Sequence, residues 1–452
     1  MPKIKKKIVE KNRPDAAERG EGRKGKVFAK LRGMKDVMFD DYRYWDLVCK
    51  KAADLANYYG FKRIDTPILE RQDLFEKALG KNSDLVVKEM YSFLDKSGDK
   101  VAMRPDVTPG IARAYIEHSI FNLEQPVKFF FTGPVFRHEK PQSGTIRQHT
   151  QFDLEIFDEE KPAADAQLIL IAYNFFRELQ IDIQVQINNI GCNECRQEYI
   201  KKLLNFYKER GKRSKLCVEC KKRLAKNPMQ LLDCKEKECV ALRDGAPQIV
   251  DSLCDGCRNH FIKVLEYLDD MDLPYNLNPF MVRGLEYYNK TVFEFWPADN
   301  EDGRQISLGG GGRYDNLVEQ LGGKPTFACG FGLGLERTIM KIKEKNIPLQ
   351  GSGEKIIFIA QLGDSAKRKA MNLFEEMRRA GFQVRQSFTR DNLKAQLEDA
   401  TKMGAAISLI IGQKEVLDGT ILIRDMESGI QEVSDYNKTK SEVEKRLAEK
   451  QN

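Results

Sequence analysis

Residues 281–296 read Met-Val-Arg-Gly-Leu-Glu-Tyr-Tyr-Asn-Lys-Thr-Val-Phe-Glu-Phe-Trp, an apolar and aromatic run that is typical of a β-strand. An arginine, Arg283, and two adjacent tyrosines stand at its start. Because burying an unpaired guanidinium is costly, an anion is expected to face Arg283. A structural salt bridge with a nearby carboxylate is the alternative. Two further arginines, Arg137 and Arg337, lie in similar apolar, glycine-flanked settings, and the three together favour a polyanionic substrate.

The segments on either side of this run predict an α+β domain with an antiparallel sheet flanked by helices. Apolar runs bounded by turn residues indicate strands, and apolar residues three or four apart indicate helices. The predicted strands are 61–70, 88–93, 100–103, 127–136, 150–157, 181–190, 279–296 and 305–308. The predicted helices are 33–60, 108–118, 164–179 and 335–345, with a glycine run and a helix across 309–321. This core domain comprises residues 28–190 and 276–345.

Residues 355–452 form a second predicted domain, in which short apolar runs alternate with amphipathic helices. The predicted strands are 356–360, 382–386, 406–411 and 420–424, and the predicted helices are 365–380, 392–403 and 438–450. This order implies a small α/β domain with a largely parallel sheet. Residues 346–354 have the composition of a linker.

Residues 191–275 are rich in Lys, Glu and Cys and indicate a helical insertion between the two halves of the core domain. Eight of the ten cysteines fall between residues 192 and 257, mostly as Cys-x-x-Cys pairs. Such spacing is typical of tetrahedral zinc sites with four cysteine ligands. One site would combine Cys217, Cys220, Cys234 and Cys239, and the other Cys192, Cys195, Cys254 and Cys257. Free thiols in a variable insertion are the alternative.

The length, composition and charge of the chain limit the classes of protein to which it can belong. A chain of 452 residues with 41% hydrophobic content can form two or three domains. No apolar run approaches the roughly 18 residues that span a bilayer, and the N-terminus lacks the apolar core of a signal peptide. We therefore expect a cytoplasmic protein with no membrane partner. The net charge of +7 equals the excess in residues 1–31, where eight Lys and three Arg face four acidic residues.

Residues 1–27 predict a basic, disordered tail, because they combine this charge with few apolar residues. The tail would either contact a nucleic-acid backbone or only aid solubility.

A second arginine motif lies at residues 133–139, which read Gly-Pro-Val-Phe-Arg-His-Glu. The guanidinium of Arg137 can bind a carboxylate or an α-phosphate through two parallel hydrogen bonds. Glu139 can accept a hydrogen bond from an adenine amino group. The basic loop that follows, residues 140–147, suits the end of a nucleic acid.

Two glycine-rich blocks follow, Leu-Gly-Gly-Gly-Gly-Arg-Tyr-Asp at 308–315 and Ala-Cys-Gly-Phe-Gly-Leu-Gly-Leu-Glu-Arg at 328–337. The four consecutive glycines either let the backbone approach a ligand closely or form a flexible turn. The first block lacks the Gly-Lys-Ser/Thr of a P-loop, and the second lacks the later acidic strand end of a Rossmann fold. Arg337 opposes the dipole of its predicted helix, a cost that makes sense if it faces phosphates.

These blocks, in this order, resemble the class II aminoacyl-tRNA synthetases. Arg137 falls in the second motif of that class and Arg337 in the third. Thr66-Pro67 and the helix before it are similar to the first motif, which builds a dimer interface. The resemblance implies a class II catalytic fold, a homodimer, ATP as substrate and Mg²⁺ on its phosphates.

Residues 283–288, Arg-Gly-Leu-Glu-Tyr-Tyr, resemble the histidine-specific signature of the histidyl-tRNA synthetase family. Residues 104–108, Arg-Pro-Asp-Val-Thr, and the block at 308–315 match further parts of that family, and the resemblance covers residues 33–440. It implies that the protein activates L-histidine with ATP and transfers it to the 3′ end of tRNA(His). Residues 355–452 would be the anticodon-binding domain.

The resemblance also implies roles for individual residues. The residues that would bind histidine are Asp106, Thr108, Arg137, Gln151, Glu155, Arg283, Tyr287 and Tyr288. ATP would be bound by Arg137, Glu139, His149 and Arg337, and the catalytic residues would be Arg137, Arg283 and Arg337. The loop residues Lys140, Gln142 and Arg147 would lie near the tRNA acceptor end.

The chain departs from the family pattern at three places. Asp106 stands where many relatives carry Glu, so the contact with the substrate amino group is expected to shift or to use a water molecule. His149-Thr150 replaces the more usual Phe-His, so His149 is expected to stack on adenine. Phe39 replaces a common proline, with no functional consequence expected.

A second hypothesis is a non-catalytic regulator, since the regulatory subunit of ATP phosphoribosyltransferase shares this fold and binds histidine. Such a protein would be expected to lack the C-terminal domain and the ATP-binding arginines. This chain has both, which favours the enzyme.

Overall fold

The computed structural model describes residues 28–139, 146–209, 211–299, 307–347, 355–387 and 389–449. The chain divides into two compact units between Ile347 and Pro348. The predicted tail, residues 1–27, and residues 348–354 of the predicted linker lie outside the described residues. Within those residues, no helix has the length and apolar character needed to cross a membrane.

The first unit is built on an eight-stranded sheet and a small three-stranded one. Its strands are β1 (Lys62–Arg63), β2 (Leu69–Arg71), β3 (Ser92–Leu94), β4 (Lys100–Met103), β5 (Val127–Phe136), β6 (Gln148–Phe157), β7 (Ile183–Asn189), β8 (Tyr275–Leu277), β9 (Asn289–Pro297), β10 (Gly309–Arg313) and β11 (Ala328–Gly334). The large sheet has the order β1-β5-β6-β11-β10-β9-β7-β8, and the small one β2-β4-β3. The inner pairs of the large sheet are antiparallel, which confirms the prediction, and the outermost pair at each edge is parallel.

Helices cover this sheet and form most of residues 191–275. They are α1 (Phe39–Tyr58), α2 (Gln72–Leu79), α3 (Thr108–Glu117), α4 (Ala163–Glu178), α5 (Asn193–Lys208), α6 (Lys212–Lys215), α7 (Val218–Lys226), α8 (Lys237–Arg243), α9 (Asp255–Asp270), α10 (Leu317–Gln320) and α11 (Leu335–Glu344). Helix α1 begins six residues later than predicted, and Asp40 and Asp41 in its first turn favour that start because they complement the helix dipole. A π-helical turn, Leu85–Glu89, replaces part of the predicted strand 88–93.

The opening run, residues 281–296, is a strand only in its second half. Residues 279–288 are irregular, and β9 begins at Asn289. Tyr287 and Tyr288 are both buried, with ring centroids 4.5 Å apart. Consecutive strand residues point to opposite faces, so an irregular backbone is needed to bury both rings together. The prediction of a strand across Arg283 was therefore wrong.

The glycine run itself is a strand, and the prediction of a strand at 305–308 was wrong for the described residues of that range. A Cβ on Gly311 would lie 2.0 Å from the carbonyl oxygen of Gly330 in β11. Close packing between neighbouring backbones thus selects glycine here, although glycine has a low strand propensity.

The Cys-rich residues are helical, as predicted, and pack closely against the core of the first unit. Helix α9 packs on α4 and buries Phe261, Val264 and Leu268. Farther along, Leu231 and Leu232 belong to the same buried cluster as Leu85 of the π-helical turn. These shared apolar contacts hold residues 191–275 against the sheet domain.

The second unit is a small α/β domain. Its elements are β12 (Ile356–Gln361), α12 (Asp364–Arg379), β13 (Val384–Gln386), α13 (Leu393–Lys402), β14 (Ala405–Ile411), α14 (Gln413–Asp418), β15 (Thr420–Asp425), β16 (Gln431–Asp435) and α15 (Thr439–Glu449). The sheet order is β13-β12-β14-β15-β16. Only the pairs of β12 with β13 and β14 are parallel, so the sheet is mixed and not largely parallel. The prediction missed β16 because that strand is mostly polar and exposed.

Candidate active site

The site lies on a glycine-rich part of the large sheet. In the β6–β11 pair, Asp153 faces Gly332 and Glu155 faces Gly330. A Cβ on Gly330 would lie 1.6 Å from Glu155 Oε2, and one on Gly332 would lie 2.5 Å from Asp153 Oδ1. The alternating glycines of β11 therefore make room for two carboxyl groups on the neighbouring strand.

Strand β10 extends this glycine floor. Gly310 pairs with Gly332 on one side and with Glu294 of β9 on the other. A Cβ on Gly310 would lie 2.8 Å from Arg283 Nη1. The glycine run thus forms a flat surface over which the Arg283 guanidinium lies.

A cavity of about 400 Å³ opens above this floor. This is the size of a small-molecule site. The predicted site residues that line it are Asp106, Thr108, Arg137, Glu139, His149, Gln151, Arg283, Tyr287, Tyr288 and Arg337.

One residue predicted to bind histidine, Glu155, is not among the lining residues, and the three residues predicted to contact tRNA stand elsewhere or outside the described part of the chain. Lys140 and Gln142 lie outside the described residues, so their predicted place near a tRNA end stays a prediction. Arg147 is placed beside Glu139, and its Nε donates a hydrogen bond to the Glu139 carbonyl oxygen at 3.4 Å. It does not line the cavity.

Two carboxyl groups form the buried end of the site. The Tyr287 hydroxyl donates to Asp106 Oδ2 at 2.9 Å. Thr108 Oγ1 donates to Glu155 Oε1 at 2.5 Å, and the Tyr314 hydroxyl donates to the other oxygen. Glu155 is thereby held beneath the lining residues, with both oxygens already occupied.

Burial governs the protonation of these groups. It raises the pKa of Asp106, although the Arg137 cation and the Tyr287 hydroxyl oppose the shift. It raises the pKa of Glu155 to about 8, against the two hydroxyl donors. A carboxyl group buried in this way is stable in its ionised form only when a cation or a hydrogen-bond donor pairs with it.

Asp153 is a site residue that the sequence analysis missed. It is 2% exposed, lines the cavity, and its Oδ2 has no hydrogen-bond partner among the described residues. Burial raises its pKa well above the usual range, and neighbouring Glu155 and Asp106 raise it further. The alternation of Gln151, Asp153 and Glu155 along one strand was a signal that could have identified it. Tyr314 and Glu294 were missed as well.

Five polar atoms of the lining residues are buried without a hydrogen-bond partner among the described residues. They are His149 Nδ1, Gln151 Oε1, Asp153 Oδ2, Arg223 Nε and Arg283 Nε. Buried polar atoms are almost always hydrogen-bonded in native proteins. Their concentration around one cavity indicates that a polar ligand supplies the missing partners.

The three predicted arginines face the same cavity. Arg137 Nε donates to the Pro105 carbonyl oxygen at 2.7 Å, and Arg337 Nη1 donates to that of Ser307 at 2.7 Å. Arg283 Nη1 donates to Glu294 Oε1 at 2.8 Å. The salt bridge that the sequence left as the alternative for Arg283 is therefore present, Arg283 also lines the cavity, and its contact with an anionic substrate stays a prediction.

His149 lies within electrostatic reach of two of these cations. Burial, together with Arg137 and Arg337, lowers the pKa of its imidazole to about 3. The ring is therefore neutral near pH 7 and can lie against a flat apolar group.

The eight clustered cysteines form the two groups that the sequence predicted. The sulfur atoms of Cys192, Cys195, Cys254 and Cys257, and those of Cys217, Cys220, Cys234 and Cys239, lie within 4.8 Å of one another in each group. Backbone N–H groups donate to the sulfurs, from Cys254 to Cys195 at 3.1 Å and from Cys217 to Cys239 at 3.3 Å. Both arrangements could hold a metal ion.

Comparison with known proteins gives concordant results. The sequence model of the histidyl-tRNA synthetase family matches residues 33–338, and that of an anticodon-binding domain matches residues 356–447. A histidine–tRNA ligase of Dehalococcoides mccartyi is 40% identical over 422 residues, which are 93% of this chain and 100% of that protein. One of Clostridium novyi is 42% identical over 401 residues, 88% of this chain and 94% of the relative.

Solved structures show the same fold. Apo histidyl-tRNA synthetase of S. aureus superposes with a TM-score of 0.77 and 29% identity, over 92% of this chain and 99% of that one. A protein of Bacillus halodurans described as an ATP phosphoribosyltransferase regulatory subunit/histidyl-tRNA synthetase has a TM-score of 0.61 and 20% identity, over 86% and 99% of the two chains. At that identity the likeness concerns the fold alone.

Proposed function

Because the chain belongs to the histidyl-tRNA synthetase family, it is a histidine–tRNA ligase, and we propose how the residues of its cavity carry out the reaction. The enzyme converts histidine and ATP to histidyl-adenylate and pyrophosphate, and then transfers the histidyl group to tRNA with release of AMP. The observation that carries the assignment of roles is the set of unpartnered polar atoms and three arginines around one cavity.

Histidine binds at the carboxyl-rich end. Asp106 and Thr108 accept the α-ammonium group, and Tyr287, Tyr288 and Gln151 surround the imidazole. An imidazole carries two distinct nitrogens, and a wrong amino acid would leave the buried partners unpaired. Glu155 acts on histidine indirectly, through Thr108 and Tyr314, because its oxygens already accept hydrogen bonds from the hydroxyl groups of these two residues. Because the side chain of Asp106 is shorter than the Glu that many relatives carry, its contact with the α-ammonium group is the one that the sequence predicts to shift or to use water.

Adenylate formation proceeds by positioning and charge stabilisation. A carboxylate oxygen of histidine attacks the α-phosphorus of ATP, and pyrophosphate leaves. Arg137 holds the carboxylate and the α-phosphate, and Arg283 stabilises the charge that develops on the α-phosphate. Arg337 binds the γ-phosphate. In the second step a ribose hydroxyl at the tRNA 3′ end attacks the carbonyl carbon, and AMP leaves.

The adenine lies between His149 and Arg337, and Glu139 accepts from its amino group. The low pKa of His149 supports this placement, because a neutral imidazole can stack on a base without adding a further cation to those of the arginines. Arg337 Nη1 donates to the Ser307 carbonyl oxygen, and the residue lines the cavity next to the place proposed for the phosphates.

Mg²⁺ is typical of this family and would accompany ATP. Carboxylate oxygens of Glu139 and Glu294 line the cavity, and both groups lie close enough to Arg337 to influence its pKa. Hard oxygen ligands of this kind fit Mg²⁺, which would neutralise phosphate charge.

Each cysteine group holds a structural Zn²⁺. Four sulfurs within bonding reach of one ion, with backbone N–H donors to the sulfurs, fit a closed tetrahedral site. Free thiols are the alternative that metal analysis decides.

The tRNA contacts both units. The second unit matches an anticodon-binding domain and contacts tRNA(His) there. Lys140, Gln142 and Arg147 follow the catalytic Arg137 in the chain and would contact the acceptor end. A cytoplasmic location stays a prediction.

The enzyme is a homodimer that pairs through elements of the first motif. Exposed apolar side chains occur on the helix of this motif and on the small sheet that follows it, with Tyr58 at the end of α1, Leu69 in β2, and Phe93 and Leu94 in β3. Exposed apolar patches of this kind mark association surfaces. Light scattering should give twice the chain mass, and Leu69→Glu should shift it toward the monomer. A monomeric unaltered protein would contradict the dimer.

The regulatory-subunit alternative is not favoured, because the chain retains the anticodon-binding domain and all three arginines at the cavity. Histidine-dependent exchange of pyrophosphate into ATP, followed by charging of tRNA(His), tests the enzyme directly. A folded protein that bound histidine but catalysed neither reaction would support the regulator.

A further inference from the structure

We propose that residues 217–239 form a metal-anchored wall of the active site, which retains histidyl-adenylate and keeps water away from it. The proposal rests on the proposed function, because it concerns the intermediate of that reaction. The wall comprises α7, the 3₁₀ turn Pro228–Leu231 and the four cysteines of the inner group, Cys217, Cys220, Cys234 and Cys239.

The wall contributes directly to the cavity. Arg223, Gln230 and Asp233 line it, together with Gly310 and Gly332 of the glycine floor. These three residues come from the helical insertion, whereas the substrate-binding residues proposed above all come from the sheet domain. The insertion therefore closes a side of the site that the sheet leaves open.

Paired salt bridges connect the wall to the π-helical turn on the rim. Arg223 Nη2 contacts Asp84 Oδ2 at 2.9 Å, and Lys88 Nζ contacts Glu219 Oε1 at 2.9 Å. Lys88 also contacts Asp84 at 2.8 Å. Asp84 and Lys88 are four residues apart at the π-helical turn, and Glu219 and Arg223 are four residues apart in α7. Both salt bridges therefore join the same face of the turn to the same face of α7.

The turn that receives these salt bridges also lines the cavity, through Leu85 and Glu89. Partly exposed ion pairs contribute little to the free energy of unfolding. The role of these salt bridges is therefore to orient the wall relative to the turn. We call the residues Asp84, Lys88, Glu219 and Arg223 the latch.

The inner cysteine group is what gives the wall a fixed shape. Helix α7 has nine residues and α8 has seven, and helices this short are marginal without tertiary support. Cys217 and Cys220 lie at the start of α7, and Cys239 lies in α8. A metal ion bound to all four sulfurs would join both helix starts and hold Arg223 at the cavity.

Retention matters because histidyl-adenylate is a mixed anhydride. Water attacks its carbonyl carbon, the carbon–oxygen bond to the phosphate breaks, and histidine and AMP form with release of a proton. A site that excludes water until the tRNA arrives prevents this side reaction. An open wall would therefore waste ATP without blocking adenylate formation.

The test compares latch variants with variants of the two cysteine groups. The latch variants are Glu219→Gln and Arg223→Gln, the anchor variant is Cys217→Ser/Cys220→Ser, and the matched control is Cys192→Ser/Cys195→Ser in the outer group. Measurements are zinc per chain, AMP released from histidine and ATP without tRNA, and pyrophosphate exchange, all on the full chain.

The expected result is that both latch variants keep their zinc and raise the ratio of AMP release to exchange about fivefold or more. The anchor variant should lose one zinc and show the same rise. The outer-group control should lose one zinc and keep the ratio of the unaltered protein. The full charge reversal of the latch, Asp84→Arg/Lys88→Glu/Glu219→Lys/Arg223→Asp, keeps every pair of opposite charges, so it should restore the low ratio and guard against a folding defect.

An unchanged ratio in the latch variants, or an equal rise in the outer-group control, would overturn the proposal while leaving the ligase intact. Absence of histidine-dependent exchange in the unaltered protein would instead overturn the proposed function. The two failures are therefore distinguishable.

Discussion

Asp153 and Gly332 face each other across the β6–β11 pair, and a Cβ on residue 332 would lie 2.5 Å from Asp153 Oδ1. Such a contact is too short for any real structure, so one of the two residues must move. Asp153 lines the cavity and has an unpartnered oxygen, which places the consequence at the substrate site.

Gly332→Ala should therefore raise the KM for histidine about tenfold or more, because it displaces the Asp153 carboxyl from its place. Steady-state pyrophosphate exchange measures this. Gly334→Ala is a matched control on the same strand, where a Cβ would meet its nearest atom at 3.7 Å. An equal effect of both substitutions would show that Asp153 is not involved.

Arg283→Ala should slow adenylate formation by about 2–4 kcal/mol of barrier, the usual effect of removing one transition-state donor. The 2.8 Å contact with Glu294 adds a second effect, because the carboxylate loses its charged partner. Stability should fall by about 1–3 kcal/mol. The sequence alone, which does not show the ion pair with Glu294, predicts that Arg283→Ala barely changes thermal stability.

The double variant Arg283→Ala/Glu294→Gln separates the two effects. It should recover much of the thermal stability, because the abandoned charge is gone, but none of the exchange activity. Recovery of activity would show that Arg283 acts only as the partner of Glu294.

Glu155 should make stability fall as pH rises. In the folded protein its pKa is raised to about 8 by burial, whereas an unfolded chain loses that proton near the ordinary value. Between about pH 5 and 8 the folded state thus binds more protons, and stability falls by up to about 1.4 kcal/mol per pH unit.

Glu155→Gln stays neutral throughout this window and should flatten the pH dependence of unfolding without histidine. Thermal unfolding of both proteins at several pH values measures the difference. Asp106, whose pKa is also raised, contributes to both curves, whereas the pKa of Asp153 should fall slightly in the variant because Glu155 helps to raise it, which flattens the curve further. Parallel curves would contradict the shift at Glu155.

The purified protein should contain two zinc ions per chain, because each cysteine group completes one tetrahedral site. Cys254→Ala should lower the content to one and reduce the thermal midpoint, since Cys254 and Cys257 tie the start of α9 to that of α5. Cys49→Ala, outside both groups, should keep two ions. Mass spectrometry of the metal decides, and a metal-free unaltered protein would refute both sites.

Local sequence was sufficient for much of this molecule. Strong apolar periodicity predicted α4, and apolar and aromatic runs predicted β5 and β6, each within a few residues. The spacing of the cysteines predicted both groups, since a tetrahedral ion needs two local pairs. The motif residues around Arg137 and Arg283 also lie at the cavity as expected.

Other features depended on contacts between distant segments. Strand β10 is four glycines and an arginine, and it is a strand because β9 and β11 supply backbone partners on both sides. Asp153 enters the site through its register with Gly332, and Arg223 through its salt bridge with Asp84, 139 residues away. Periodicity and motifs report what a segment can form, whereas long-range register and packing decide which polar groups meet at the substrate.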